Sequence, residues 1–155
     1  MPAYLLADCL SAVHAQRMVR RQCNHCRMSR PARASEVDEW LDAYLRHVAP
    51  DDQIGARDAL MQDWVERFGR DGRLKRYHSP GCAKCDETGH RGQVALHELL
   101  PIGRDLRQLI RAHAPVWHLQ RQALRDGMHT LRQDAIEKML AGVISVEEAR
   151  MVAAH

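Results

Sequence analysis

The chain has 155 residues, enough for one domain or a small domain with an insertion, and at 45% hydrophobic and 28% charged its composition is that of an ordinary globular protein. Its formal net charge of +3 at pH 7 is too weak to demand a nucleic-acid partner, and no apolar run approaches the roughly 18 residues of a membrane-spanning helix. The opening Met-Pro-Ala-Tyr-Leu-Leu-Ala-Asp has no basic stretch ahead of its apolar residues, which argues against a signal peptide and makes a reducing, cytosolic setting the expectation.

Taken in chain order, residues 4–20 read as a helix, with Leu6, Leu10 and Val13 on one stripe and Arg17, Arg20 and Arg21 at the end that the helix dipole favours for cations. Cys9, beside that stripe on the apolar face, reads as a small buried hydrophobe. A second helix follows Ser35, read as its cap, along Val37, Trp40, Leu41, Tyr44, Leu45 and Val48, with Pro50 as the stop. A third covers about residues 56–68, carrying Leu60, Met61, Trp64, Val65 and Phe68 and closed by Gly69. Leu74–His78 is a short candidate strand, and Gln93–Leu100 a second one between Gly92 and Pro101. Both are too short to be stable unpaired. They are expected either to pair with each other around the thiol site or to leave residues 93–100 for a sheet outside this chain. The remainder reads as helices over 104–113, from Pro115 to Gly127, and from Thr130 to Ala141 with Gly142 as the stop, and Ser145-Val-Glu-Glu148 is a capping box opening a last one.

Cys23-x-x-Cys26 and Cys82-x-x-Cys85 are two identical short turns with residues 27–81 between them. Each turn points two sulfurs at one place, and two such turns complete the four-sulfur tetrahedron that structural zinc prefers. Four protein ligands leave no open position for water, so the expected metal holds structure and does no chemistry. A redox dithiol lacks its βαβ setting here, and disulfides are disfavoured in a reducing compartment. The arginines at 17, 20, 21, 27, 30 and 33, with Lys84 and Arg91, are expected to offset the negative charge of the thiolate centre. His25, inside the first pair, is a candidate substitute ligand. His97-Glu98 fails the zinc-protease pattern, because the second histidine would fall at Pro101. No lysine sits in a phosphate-binding Gly-Lys-Ser/Thr setting, and no nucleophile elbow is present, so the chain by itself reads as no enzyme.

Three ordered blocks carry a resemblance. "HAQRMVRRQCNHCR" is similar to the segment that closes the motor core of the secretion ATPases, the family of type II secretion protein E and the type IV pilus assembly ATPases. "GCAKCDETGHRGQVALHELL" resembles that family's second cysteine pair, its Gly-rich turn and the strand after it. "LRQDAIEKMLAGVISVEEARMV" resembles its C-terminal helices. His90 stands where the family usually has Tyr, and Ala135 where it usually has Gly.

The resemblance implies a mainly α fold with a small β component (α+β), a fragment of a RecA-like secretion ATPase with a tetracysteine zinc-binding insertion and a C-terminal helical subdomain. Residues 1–22 would be a helix from the end of the motor core, 23–90 the zinc-binding subdomain with a helical insert, and 91–155 a strand plus the C-terminal helices. It also implies zinc on Cys23, Cys26, Cys82 and Cys85, and ATP and Mg²⁺ only in an upstream core. The implied partners are the other subunits of a homohexamer and inner-membrane platform proteins, at the cytoplasmic side of that membrane, with no nucleic acid and no membrane span. The competing expectation is a free-standing zinc-ribbon nucleic-acid binder using the arginines at 17–33; the absence of stacking aromatics among them counts against it. Loss of the metal is expected to loosen residues 23–90 and to leave the C-terminal helices less affected.

Overall fold

A computed structural model describes residues 2–46, 48 and 55–153. The elements are α1 (Ala3–Cys9), β1 (Ala12–Gln22), β2 (Met28–Pro31), α2 (Ala34–Leu45), α3 (Ala56–Phe68), β3 (Lys75–His78), β4 (His90–Pro101), α4 (Arg104–Arg111), α5 (Val116–Arg125), α6 (Leu131–Leu140) and α7 (Val146–Ala153). The fold is mixed, helices outweighing strands, and its strands form two separate antiparallel ribbons, β1 with β4 and β2 with β3.

The helix expected over residues 4–20 is corrected. Only Ala3–Cys9 is helical; Leu10 is already extended at φ −73°, ψ 124°, and residues 12–22 form β1. Periodic apolar residues fit a helix here, but the apolar run of β4 needs an antiparallel partner, and the long-range ladder overrides local propensity. The ladder runs in register from Ala12 opposite Pro101 to Arg20 opposite Gln93, then shifts at a bulge before Gln22 meets His90. The two short strands therefore do not pair with each other: β4 pairs with β1, and β3 pairs with β2. Cys9 is exposed, not buried, because the seven-residue α1 buries only Ala7.

The helices of the insert match their apolar stripes. The second begins at Ala34, one residue before the expected cap, and its opening turn is closed by Glu36, whose Oε2 accepts the Arg33 amide at 2.9 Å. It ends at Leu45, so Val48 lies beyond it, and Pro50 lies outside the described residues. The third helix covers Ala56–Phe68 as expected. Ser145 caps α7, its Oγ accepting the Glu148 amide at 3.2 Å, but the Glu148 carboxylate makes no return bond. It goes instead to Arg20, taking the main-chain amide at 2.9 Å and the guanidinium at 2.7 Å, and so ties β1 to α7.

One face of the β1–β4 ribbon, with Val19 and Leu96, packs into a core shared with Trp40 and Leu41 of α2, Trp64 of α3, and Ile136, Leu140, Ala149 and Val152 of α6 and α7. A smaller cluster of Ile102, Leu106 and Ala123 sits at the other end, against Leu10, Leu100 and Leu119. The opposite ribbon face is uncovered: Met18 is 50% and Leu99 51% exposed, beside the stacked rings of His14 and His97.

Glu137 on α6 joins the insert to the C-terminal helices. Its Oε1 accepts the Tyr44 hydroxyl at 2.9 Å and lies 3.2 Å from His129 Nε2, and its Oε2 accepts Arg67 Nη2 at 2.6 Å. Burial works to raise its pKa, but His129, Arg67 and Tyr44 win and hold it at about 2, below the ordinary 4.5. With the folded-state value depressed, the stabilisation is complete above 4.5 and is lost as pH falls toward 2. Arg67 and His129 are themselves over 40% exposed, so solvent screens the ion pairs, and Glu137→Gln is expected to cost about 1–2 kcal/mol at pH 7 and to flatten the acid limb of the stability curve. Denaturant melts across that range check this; parental stability at pH 7 would rule it out.

Candidate metal centre

The two ribbons position the thiols. Gln22 ends β1 and Met28 begins β2, so the first cysteine pair occupies the link between the ribbons; the second occupies the link from β3 to β4. The Cys23 amide donates to Gly89 O at 2.9 Å and stitches the two turns together. In the second turn the Cys85 and Glu87 amides both donate to Cys82 O, at 3.0 and 3.1 Å, and the Cys82 amide points at Cys85 Sγ at 3.2 Å. Gly89 closes the turn at φ +72°, and a Cβ there would lie 2.2 Å from Ser79 O, so only glycine fits.

The four sulfurs converge. Cys23 and Cys82 are 3.9 Å apart, Cys26 and Cys85 4.0 Å, and Cys82 and Cys85 3.7 Å; all four lie within 4.8 Å of one another. A Zn–S bond of about 2.3 Å sets the edges of a tetrahedron at about 3.8 Å, so the spacing fits such an ion, whereas a disulfide needs about 2.05 Å. Cys23 and Cys85 are buried and the other two half-buried. Loss of water around Cys26, with the crowding of Cys23, Cys82 and Cys85, pushes its thiol up to about 12. Burial opposes ionisation of Cys85 too, but the amides of Cys82 and Gly89 pull it down to about 7. A divalent cation at the centre would favour the thiolate form of all four.

The structure brings together the four cysteines singled out in the sequence and moves other candidates away. His25 is exposed and turns to Arg91, Nε2 to Nη1 3.1 Å. The amide of His97 donates to Asp134 Oδ2 at 2.8 Å, and Glu98 Oε2 accepts the Leu131 amide at 3.0 Å, so both are structural. The arginine run does not act as one group, because strand alternation and the turn divide it. Arg20 pairs with Glu148 and Arg30 with Glu36, while Arg27 lies 5.3 Å over the Tyr77 ring. Sequence reasoning missed Gln22, Ser79 and Gly142 as neighbours of the site. Gly142 was legible as a helix stop, but nothing local signals its contact with residues more than a hundred positions earlier.

Four thiols at ion-holding distances, in a chain of two short ribbons and a C-terminal run of helices, define a small mixed α/β protein with a tetracysteine centre. The chain belongs to the type II/IV secretion system protein family, whose sequence profile matches residues 1–151. It is 30% identical over 145 residues to the type IV pilus assembly ATPase PilB of Myxococcus xanthus, covering 94% of this chain and 22% of that protein. It is 32% identical over 149 residues to the type II secretion system protein E of Aeromonas hydrophila, covering 96% and 24%. Against the pilus assembly ATPase PilB of Thermus thermophilus it is 32% identical over 143 residues, covering 92% and 13%. The chain therefore spans a quarter or less of the length of these relatives.

Proposed function

We propose that this chain is the C-terminal, zinc-binding portion of a hexameric bacterial ATPase that powers type II secretion or type IV pilus assembly, with Cys23, Cys26, Cys82 and Cys85 as the ligands of one structural zinc ion. The convergence of the four sulfurs carries the metal reading; their 3.7–4.0 Å separations suit a closed tetrahedral ion with no position for a substrate. The similarity to named pilus and secretion ATPases supports the rest.

In this reading residues 23–90 are the metal-binding insertion, and the β1–β4 ribbon continues the sheet of a RecA-like core. The uncovered ribbon face with Met18 and Leu99 supports that placement, since a lone two-stranded ribbon is marginal. Nucleotide and Mg²⁺ chemistry belongs to the upstream core. The chain contributes shape and contacts, to the neighbouring subunits of the hexamer and to inner-membrane platform proteins, from the cytoplasmic side. No helix among the described residues is long and apolar enough to cross a membrane.

Elemental analysis of the purified, reduced chain tests this, with one zinc per chain expected and none from Cys82→Ser. A zinc-free parent, or full zinc content in the variant, would overturn the ligand assignment. ATP turnover above background by the isolated chain would overturn the placement of the chemistry.

A further inference from the structure

Gln22, the last residue of β1 and the neighbour of Cys23, is 2% exposed. Its main-chain amide donates to Val143 O at 2.9 Å and its Nε2 to Ile144 O at 2.8 Å. Its Oε1 accepts the Ser79 hydroxyl at 2.9 Å, and that hydroxyl also lies 3.2 Å from Cys23 O. On the other side of the first cysteine pair, Arg27 Nη1 donates to Gly142 O at 2.6 Å while its guanidinium covers Tyr77. Tyr77 in turn lies directly against Gly142, where a Cβ would stand 2.7 Å from the ring. Three consecutive carbonyls, 142 to 144, in the turn between α6 and α7 are thus held by the two residues that flank Cys23-x-x-Cys26. These carbonyls lie in the turn, outside the hydrogen-bond ladder of either helix, so these bonds supply the partners the α6–α7 turn needs.

We propose that the tetracysteine centre and the α6–α7 turn are one coupled unit: occupancy of the sulfur site fixes the seat of the C-terminal helices through Gln22 and Arg27. This rests on the metal reading above and revises the expectation that metal loss spares those helices. The physical link is short. With no ion to bind them, the two cysteine turns separate, and Ser79, three residues before Cys82, leaves Gln22 Oε1. A buried amide oxygen is then unpaired, and Gln22 gives up its hold on Ile144. Ile144, Val146 and Ala149 belong to the larger core, so the change reaches α7. Coupling of this kind is reciprocal, so disturbing the turn must weaken metal binding by the same factor that metal binding steadies the turn.

Two measurements on the full chain test the coupling. The first is hydrogen exchange before and after zinc is stripped with a chelator. Amides of Gln22 and of residues 143–149 are expected to exchange about tenfold faster without zinc; acceleration confined to residues 23–31 and 76–90 would overturn the proposal. The second is zinc affinity by competition with a chromophoric chelator. Arg27→Ala and Gly142→Ala, neither of them a ligand, are expected to bind zinc about tenfold more weakly, the scale found for outer-shell partners of metal ligands. Leu106→Ala, in the smaller cluster, should leave the affinity unchanged. Parental affinity in both clamp variants, or an equal loss in Leu106→Ala, would refute the coupling while leaving the metal site intact. A parent chain that takes up no zinc would sink both readings.

Discussion

Stripping zinc from the folded chain at neutral pH is expected to lower its thermal midpoint by about 10 °C or more. Structural zinc in small domains supplies apparent folding free energies of about 10–16 kcal/mol at pH 7, and a chain of this size loses about 2–4 °C per kcal/mol. Even a fraction of that contribution is a large effect here. Among the described residues between Cys26 and Cys82 the elements are the four-residue strands β2 and β3 and the helices α2 and α3, with no second cysteine pair or candidate metal cluster to hold the two turns together. Without the cation the four sulfurs have no common centre, and single contacts such as the Cys23 amide bond to Gly89 O are too few to keep the turns from separating. Scanning calorimetry with and without chelator, followed by zinc addition, reads the shift and its reversal. An unchanged midpoint in a chain shown to have lost its zinc would mean that the ion carries no structural load.

Trp64→Ala is expected to cost about 3–5 kcal/mol, the largest loss among single core truncations in this chain. Trp64 on α3 is fully buried (0% exposed), meets Tyr44 edge-on at 5.3 Å, and joins Trp40, Leu41 and Leu74 to the C-terminal helices. Truncation leaves a cavity at the seam between the insert and α6, where Tyr44 also holds Glu137. Trp64→Phe should cost well under half as much. It keeps an aromatic ring in the cavity and removes the indole N–H, which has no hydrogen-bond partner among the described residues. Denaturant unfolding of the zinc-loaded variants measures both. Equal losses in the two would show that the indole N–H is satisfied after all, and no loss in Trp64→Ala would show that the seam does not carry the stability of the fold.

Much of this was readable along the chain because it depends on local chemistry. The cysteine spacings, the apolar stripe of α3 and that of α2 as far as Leu45, the stop at Gly142 and the cap at Ser145 each arise within a few residues, and the structure has them where the pattern puts them. The four-thiol cluster was legible for the same reason: a Cys-x-x-Cys turn preorganises its own pair, and only the meeting of the two pairs needs the fold.

What the tertiary structure alone decided are the features whose partners lie far away in the chain. Residues 12–22 carry a pattern that suits a helix as well as a strand, and β4, some eighty positions later, selects the strand by offering a ladder of hydrogen bonds and a buried face for Val19. That strand alternates its side chains, sends Arg20 to Glu148 and breaks up a basic run that looked continuous on paper. It also delivers Gln22 to the α6–α7 turn, a contact no local rule foretells. Propensity and capping are summed over a few neighbours, whereas strand pairing and burial are settled only when distant segments compete for the same water-free surface.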